Sequence, residues 1–110
     1  MRGSDNVIAN DSFYLCRPRQ KRVRVNLAFM APQQVGPEEW VCAVSAPGLL
    51  RKKSFHGATS LQALCLAVSI VLAKIQQARV LGHTFEYADG HAYDFGTLML
   101  QTRYTEIRDV

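Results

Sequence analysis

The sequence is poor in the pieces from which short chemical signatures are built. It has three cysteines, Cys16, Cys42 and Cys65, widely spaced and without a C-x-x-C pair. That excludes a zinc knuckle and a thioredoxin-type redox motif. Each cysteine stands among apolar residues, where the thiol acts as a small hydrophobe. All three are therefore expected to be reduced core thiols of a cytosolic protein. Glycines are few and scattered, and neither G-x-x-x-x-G-K-[ST] nor G-x-G-x-x-G occurs. No nucleotide-phosphate cradle is encoded. The most apolar stretch, 61–75, is interrupted by Gln62, Ser69 and Lys74 and falls short of the roughly 20 residues of a membrane span. The first residues include Asp5, Asn6, Asn10 and Asp11, which do not make a secretory leader. No internal repeat or low-complexity segment is present. These absences lead to the expectation of a cytoplasmic chain that does not enter a membrane.

What the chain does have is an ordinary globular composition: 110 residues, 48% hydrophobic and 20% charged. That length fits one domain. A chain of this size buries about two-thirds of its unfolded surface, so its core needs no metal or disulfide staple.

Residues 1–6 read as a frayed start. Residues 7–16 favour a strand through Phe13, Tyr14 and Leu15. Arg17-Pro18-Arg19-Gln20 reads as a turn. The clearest strand is 22–30, where Val23, Val25, Leu27 and Phe29 alternate with Arg22, Arg24, Asn26 and Ala28. Period-two alternation sends the first set to a core and the second to water. Residues 31–38 hold two prolines and a glycine and read as a loop. A strand over 39–46 follows, with Trp40, Cys42, Val44 and Ala46 on one face. Pro47-Gly48 is a turn, and 49–56 a further strand. That strand sets Leu49, Arg51, Lys53 and Phe55 against Leu50, Lys52, Ser54 and His56.

The strongest helix signal spans about 60–81. Thr59 or Ser60 supplies an N-cap oxygen, and Gly82 a stop. Leu61, Leu64, Cys65, Val68, Leu72, Ile75 and Arg79 recur at three- and four-residue steps, giving one stripe expected to face the core. Beside it Ala63, Leu66, Ala67, Ile70 and Ala73 make a second apolar face. A sheet covers only one side, so this face is expected to meet either the C-terminal segment (Leu98, Met99, Leu100, Tyr104) or a second copy in a homodimer. Residues 83–88 read as another strand, Asp89-Gly90 as a hairpin turn and 92–95 as its return. Residues 96–110 suit a short helix or a strand equally. Strands, one helix, then more strands predict an α+β domain: an antiparallel sheet of about four to six strands with one long helix packed on one face.

Two blocks carry a family resemblance. Trp40–Cys42 reads W-x-C, and 54–67 reads S-x-x-G-A-T-S-L-Q-A-L-C-L-A. The pattern resembles a family of small uncharacterised bacterial domains with G-D-W-x-C-P followed by G-[IV]-D-S-x-Q-A-L-x-L-A, over roughly residues 7–95. Glu38-Glu39 stands where that family has Gly-Asp, and Ala43 where it commonly has proline. The resemblance implies a bacterial α+β domain similar to proteins found near toxin and secretion loci. It implies no particular chemistry.

Catalysis needs a nucleophile, an acid–base group and charge stabilisation held together. Cys42 with His56 is the one thiol–imidazole pairing on offer, but Cys42 lies in the apolar register of its strand. Ser60 reads as a capping hydroxyl. His83, Asp89, His91 and Asp94 have metal-ligand side chains without zinc-site spacing and read as a solvated hairpin. No catalytic residue, metal ligand or cofactor is therefore expected.

The distinctive polar feature is positive charge. Arg17, Arg19, Lys21, Arg22 and Arg24 form one run, and Arg51, Lys52 and Lys53 a second. Residues 1–55 carry nine Lys/Arg against four Asp/Glu, and residues 56–110 carry four against five. If the strands bearing the two runs are close, they make one positive surface. It suits an acidic protein partner or nucleic-acid phosphate; a solvated face whose charges discourage strand-edge aggregation is the plain alternative. Phe29 and Phe55, placed inward, remove the interleaved aromatics that base stacking requires. The expected function is thus a non-catalytic protein-binding module, of the immunity type that neutralises a bacterial toxin, with a nucleic-acid-binding regulator as the rival.

Overall fold

A computed structural model describes residues 6–93. The ambiguous stretch 96–110 and nearly all of the expected frayed start lie outside them. The elements are β1 (Val7–Cys16), β2 (Val23–Met30), β3 (Gln33–Gly36), β4 (Glu39–Ala46), β5 (Leu50–Gly57), α1 (Ser60–Val80) and β6 (Thr84–Glu86). They build the expected α+β architecture, a six-stranded antiparallel sheet with the helix against one face.

The stretch read as a loop contains β3. Pro32 and Pro37 lie just outside Gln33–Gly36, so neither removes a ladder hydrogen bond. β2 and β3 both pair with the same edge of β4, at Ala28↔Ser45 and Phe29↔Val44 and again at Gln33↔Val41 and Gln34↔Trp40. They behave as one long strand bent at Ala31-Pro32. The sheet therefore runs β5-β4-(β2/β3)-β1-β6. α1 carries the chain from the β5 side to the opposite edge.

Alternation fills one layer as expected. Phe13 and Leu15 of β1, Val25, Leu27 and Phe29 of β2, and Cys42, Val44 and Ala46 of β4 are all buried. In β5 a register shift opposite Val44/Ala46 brings Leu50 onto the core face while Lys53 and Phe55 stay on it. Strict alternation had divided those residues between two faces; the bulge joins them. Tyr93 closes the far end, stacked on Phe13 at a centroid distance of 4.2 Å and edge-on to Tyr87 at 5.0 Å.

The helix is capped at both ends by side chains and turns legible in the sequence. Thr59 Oγ1 accepts the Gln62 amide at 3.0 Å, and Gln62 Oε1 accepts the Ala58 amide. The exchange is a capping box reaching back one residue further than usual. Gly82, at φ 91°, allows the Gly82 amide to reach Arg79 O and the His83 amide to reach Ala78 O, the two bonds of a Schellman stop.

The rotation of α1 differs from expectation. Its inner face is Ala63, Ala67, Val71 and Ile75, each 0% exposed, with Ala78. Of the expected stripe only Ile75 is buried. Leu64, Val68 and Leu72 flank the core, Leu61 is 67% exposed, and Cys65 and Arg79 are exposed. Ala63 and Ala67 therefore cannot belong to a dimer face. Of that set Leu66 and Ala73 remain exposed, and Ile70 packs partly against the core. The reason is a close approach. A Cβ on Gly57 would lie 2.6 Å from Ala63 N and 3.0 Å from Gln62 Cβ. The first turn of α1 sits on the β5 backbone, and only small residues fit between. The helix has the expected span, but the run within it reads as too short and too interrupted for a membrane span. Its 21 residues, with a window of mean hydropathy 1.5, would cross a membrane by length and composition, yet its alanine face closes the sheet core.

Overpacking this contact destabilises the fold. Gly57→Ala and Ala67→Leu are each expected to lower unfolding free energy by about 1–3 kcal/mol. Leu66→Ser, a far larger chemical change on the outer face, is expected to stay within about 0.5 kcal/mol. Urea denaturation of the three variants measures this and fixes the helix rotation.

Candidate partner-binding surface

The face of the sheet opposite α1 is uncovered among the described residues. It presents Ser12 and Tyr14 of β1, Arg24, Asn26 and Ala28 of β2, Val41, Ala43 and Ser45 of β4, and Ser54 and His56 of β5. Ser12 Oγ donates to Asn26 Oδ1 at 2.8 Å. Most of these side chains are small or polar, so the face is flat and wettable.

Topology decides how the two basic runs relate. β4 lies between β2 and β5, so the runs are not on neighbouring strands. They nevertheless share one end of the sheet. A Cβ on Gly48, in the β4–β5 turn, would stand 3.3 Å from Val23 Cγ1 and 3.7 Å from Arg24 O. The turn that begins β5 thus rests on the start of β2. Arg51 and Lys52 follow it directly and line a shallow hollow with Ser45, Pro47 and Leu49. Lys53, opposite Val44, points to the helix side of the edge. The turn bearing Arg17, Arg19 and Lys21 lies at the same end, closed by the Gln20 amide on Arg17 O at 3.2 Å. Arg19 takes φ 62° there, the left-handed conformation demanded by the third position of a type II turn.

Within this group Arg22 stands apart. Its guanidinium lies 4.0 Å from the Tyr14 ring centroid and 3.1 Å from Glu86 Oε1, with Ala88 O at 3.5 Å. Its charge is matched inside the molecule, where it ties β6 and the following turn to β1 and β2. Arg17, Arg19, Lys21, Arg24, Arg51, Lys52 and Lys53 make no ion pair with a described carboxylate. Arg22 is thus the one member of the expected binding set whose charge is met by a described carboxylate.

The candidate chemical groupings are separated by the fold. Cys42 pairs with Phe55, whereas His56 pairs with Val41, so thiol and imidazole project from opposite faces of the sheet. The Cys42 thiol donates to Met30 O at 3.3 Å. His56 Nδ1 meets Glu39 Oε2 at 3.0 Å. Ser60 is the first helical residue, and Thr59 does the capping. His91 Nδ1 meets Asp89 Oδ2 at 2.9 Å, and the His91 amide donates to Asp89 Oδ1 at 3.0 Å. Those bonds hold the Asp89 carboxyl below the usual range, first through the His91 backbone amide and then through its side chain. Asp94 lies outside the described residues, and among those described no three His, Cys, Asp or Glu side chains converge as metal ligands.

The three cysteines differ, contrary to expectation: Cys42 is buried, Cys16 half-buried and Cys65 exposed on the outside of α1. Burial pushes the Cys42 thiol up, and burial followed by the neighbouring Glu86 raises Cys16. Tyr93 is raised furthest, by burial and then by the Asp11 carboxylate. Among the described residues its buried hydroxyl has no partner within hydrogen-bonding distance, and the Asp11 carboxylate is the polar group that faces it. This tyrosine was assigned only to a returning strand; nothing in the sequence marks it as a core residue.

Both Cys42 and Tyr93 titrate higher in the fold than their ordinary values of 9.0 and 10.0. The fold favours their protonated forms, so this stability is complete below pH about 9 and lost as pH rises past the unfolded values. Denaturation midpoints are expected to be level from neutral pH to about 9 and to fall above it. Tyr93→Phe, which removes an unsatisfied buried hydroxyl, is expected to stabilise by about 1 kcal/mol and to flatten the fall above pH 10. Toward a thiol reagent, Cys65 is expected to react first, Cys16 slowly, and Cys42 only on unfolding.

No protein-family model, curated protein or solved structure matches this chain.

Proposed function

We propose that the chain is a non-catalytic protein-binding module whose partner presents an acidic surface, acting as an immunity-type protein that neutralises a bacterial toxin. The observation that carries the reading is the gathering of Arg17, Arg19, Lys21, Arg24, Arg51, Lys52 and Lys53 at one end of the sheet without described acidic partners. Unmatched charge of one sign raises the local concentration of an oppositely charged partner and speeds its docking. The W-x-C and S-L-Q-A-L-C-L-A blocks support the bacterial, toxin-associated setting. A nuclease toxin, basic so that it can hold nucleic acid, has the wrong sign for this surface. The target is then a toxin of another kind.

Nucleic acid is the less favoured partner on a specific ground. Tyr14 is the aromatic side chain on the open face of β1, and Arg22 already covers it. Phe29 is buried and Phe55 partly so. Among the described residues, bases find no stacking platform beside the cations.

The test compares the full chain with a variant carrying Arg19→Asn, Arg24→Gln, Arg51→Gln and Lys52→Gln. Asparagine tolerates the positive φ of position 19, so the variant is expected to fold. Purified from cells that naturally make it, the wild-type chain is expected to retain a stoichiometric acidic protein. The variant is expected to lose it, with association slowed at least about tenfold at low salt. Equal retention by both chains overturns the reading. Binding of single-stranded RNA or duplex DNA at about 50 mM salt, weakening steeply as salt rises, replaces it with the nucleic-acid alternative.

A further inference from the structure

We infer that the outer edge of β5 accepts an extended acidic segment of the partner as an additional strand of the sheet, an inference that rests on the acidic-partner reading above. Backbone N–H and C=O groups require partners. β5 satisfies those on one edge with β4, in register from Trp40↔Gly57 to Val44↔Lys53. Its other edge has no strand beside it among the described residues. Half of its peptide groups are left pointing outward, a row that an incoming chain can pair with.

Three features suit this edge to an acidic guest. It is eight residues long, LRKKSFHG, without proline, whereas β6 on the far edge is three residues long and bridged by Ala92. Its cations serve both faces of an added strand: Lys53 lies on the helix side opposite Val44, and Lys52 on the open side beside Val41, Ala43 and Ser54. A guest with acids at successive positions meets a cation on either face, because side chains alternate across a strand. The first half of β1, whose edge away from β2 has no strand beside it among the described residues, offers the opposite chemistry, with Asp11 and the exposed Ile8 and no cation. The run at 51–53 also selects against a second copy of this chain. Two β5 edges paired about Lys52 would set cation against cation, and like charges directly opposed are destabilising.

Charge placed on an edge merely to keep it solvated would repel copies and bind nothing, so experiment separates the two roles. Random peptides displayed on phage are selected against the full chain. The best binder is then synthesised in four forms: as selected, with its acids changed to amides, and with alternate backbone amides N-methylated in each of the two phases. Amide shifts of the 15N-labelled chain report where it binds. The expected result is an acidic, β-prone peptide that moves residues 50–57 of β5 and their β4 partners. Amidation, Lys52→Glu with Lys53→Glu, and N-methylation in one phase only are each expected to weaken it at least about tenfold. Equal affinity of both N-methylated forms and the parent overturns the inference. If acidic peptides bind instead at the 17–24 turn and tolerate N-methylation, the edge mode falls and the acidic-partner reading stands. If selection yields peptides without acidic bias, both fall.

Discussion

Glycine at position 57 removes the one Cβ that would stand between the end of β5 and the first turn of α1. The helix backbone descends there until Ala63 N would be 2.6 Å from that missing atom. Everything on the helix follows from this seat. The small side chains of Ala63 and Ala67 become the inner face, since nothing larger fits at that separation. Val71 and Ile75 then fill the space that opens as the helix continues across the sheet. Leu64, Val68 and Leu72 are turned to its flanks, and Leu61, Cys65 and Leu66 to the outside.

The same seat gives the sheet its two unlike sides. One is closed by α1 and Tyr93, with Phe13 and Phe85 packed edge-on beneath at 5.8 Å. The other keeps small polar residues and stays uncovered among the described residues. Chain reversals then sort the charges. The β1–β2 turn, the β4–β5 turn and the end of α1 all fall at one end, and most of the described cations lie in the first of these turns or at the starts of β2 and β5 beside them. Glu38, in the β3–β4 turn, and Glu39, which opens β4, fall at the other end, where Glu39 takes His56 as its partner. A modest net charge of +4 thus becomes a polarised molecule. Arg22 is the exception that holds the corner together, and its stacking on Tyr14 and pairing with Glu86 are structural.

The parts of this arrangement legible in the sequence rest on local rules. β1 announces itself by the strand-favouring Phe13, Tyr14 and Leu15, β2 and β4 by alternation, the helix ends by Thr59 and Gly82, and the turns by Pro18, Gly48 and Gly90. β3 was hidden because Pro32 and Pro37 mimic a loop, and only the partner strand reveals that they bracket a paired segment. The face of β5 was misjudged because a bulge changes parity, and a bulge is a property of two strands together. Helix rotation was misread because two apolar stripes run side by side at helical spacing, and the close approach at Gly57 selects the alanine-bearing one. In the candidate surface, the members of the basic runs were legible as residues. The neutralisation of Arg22 was not, since Glu86 lies 64 residues away in the chain.

By itself, then, the sequence determined the class of fold, the ends of the helix, the composition of the core strands and the inventory of charge, because each depends on periodicity or on contacts between near neighbours. Tertiary structure alone decided which helix face is buried, which strand is left with an unpaired edge and which cations remain unmatched. Those outcomes depend on distances between segments far apart in the chain, and no local pattern encodes such a distance.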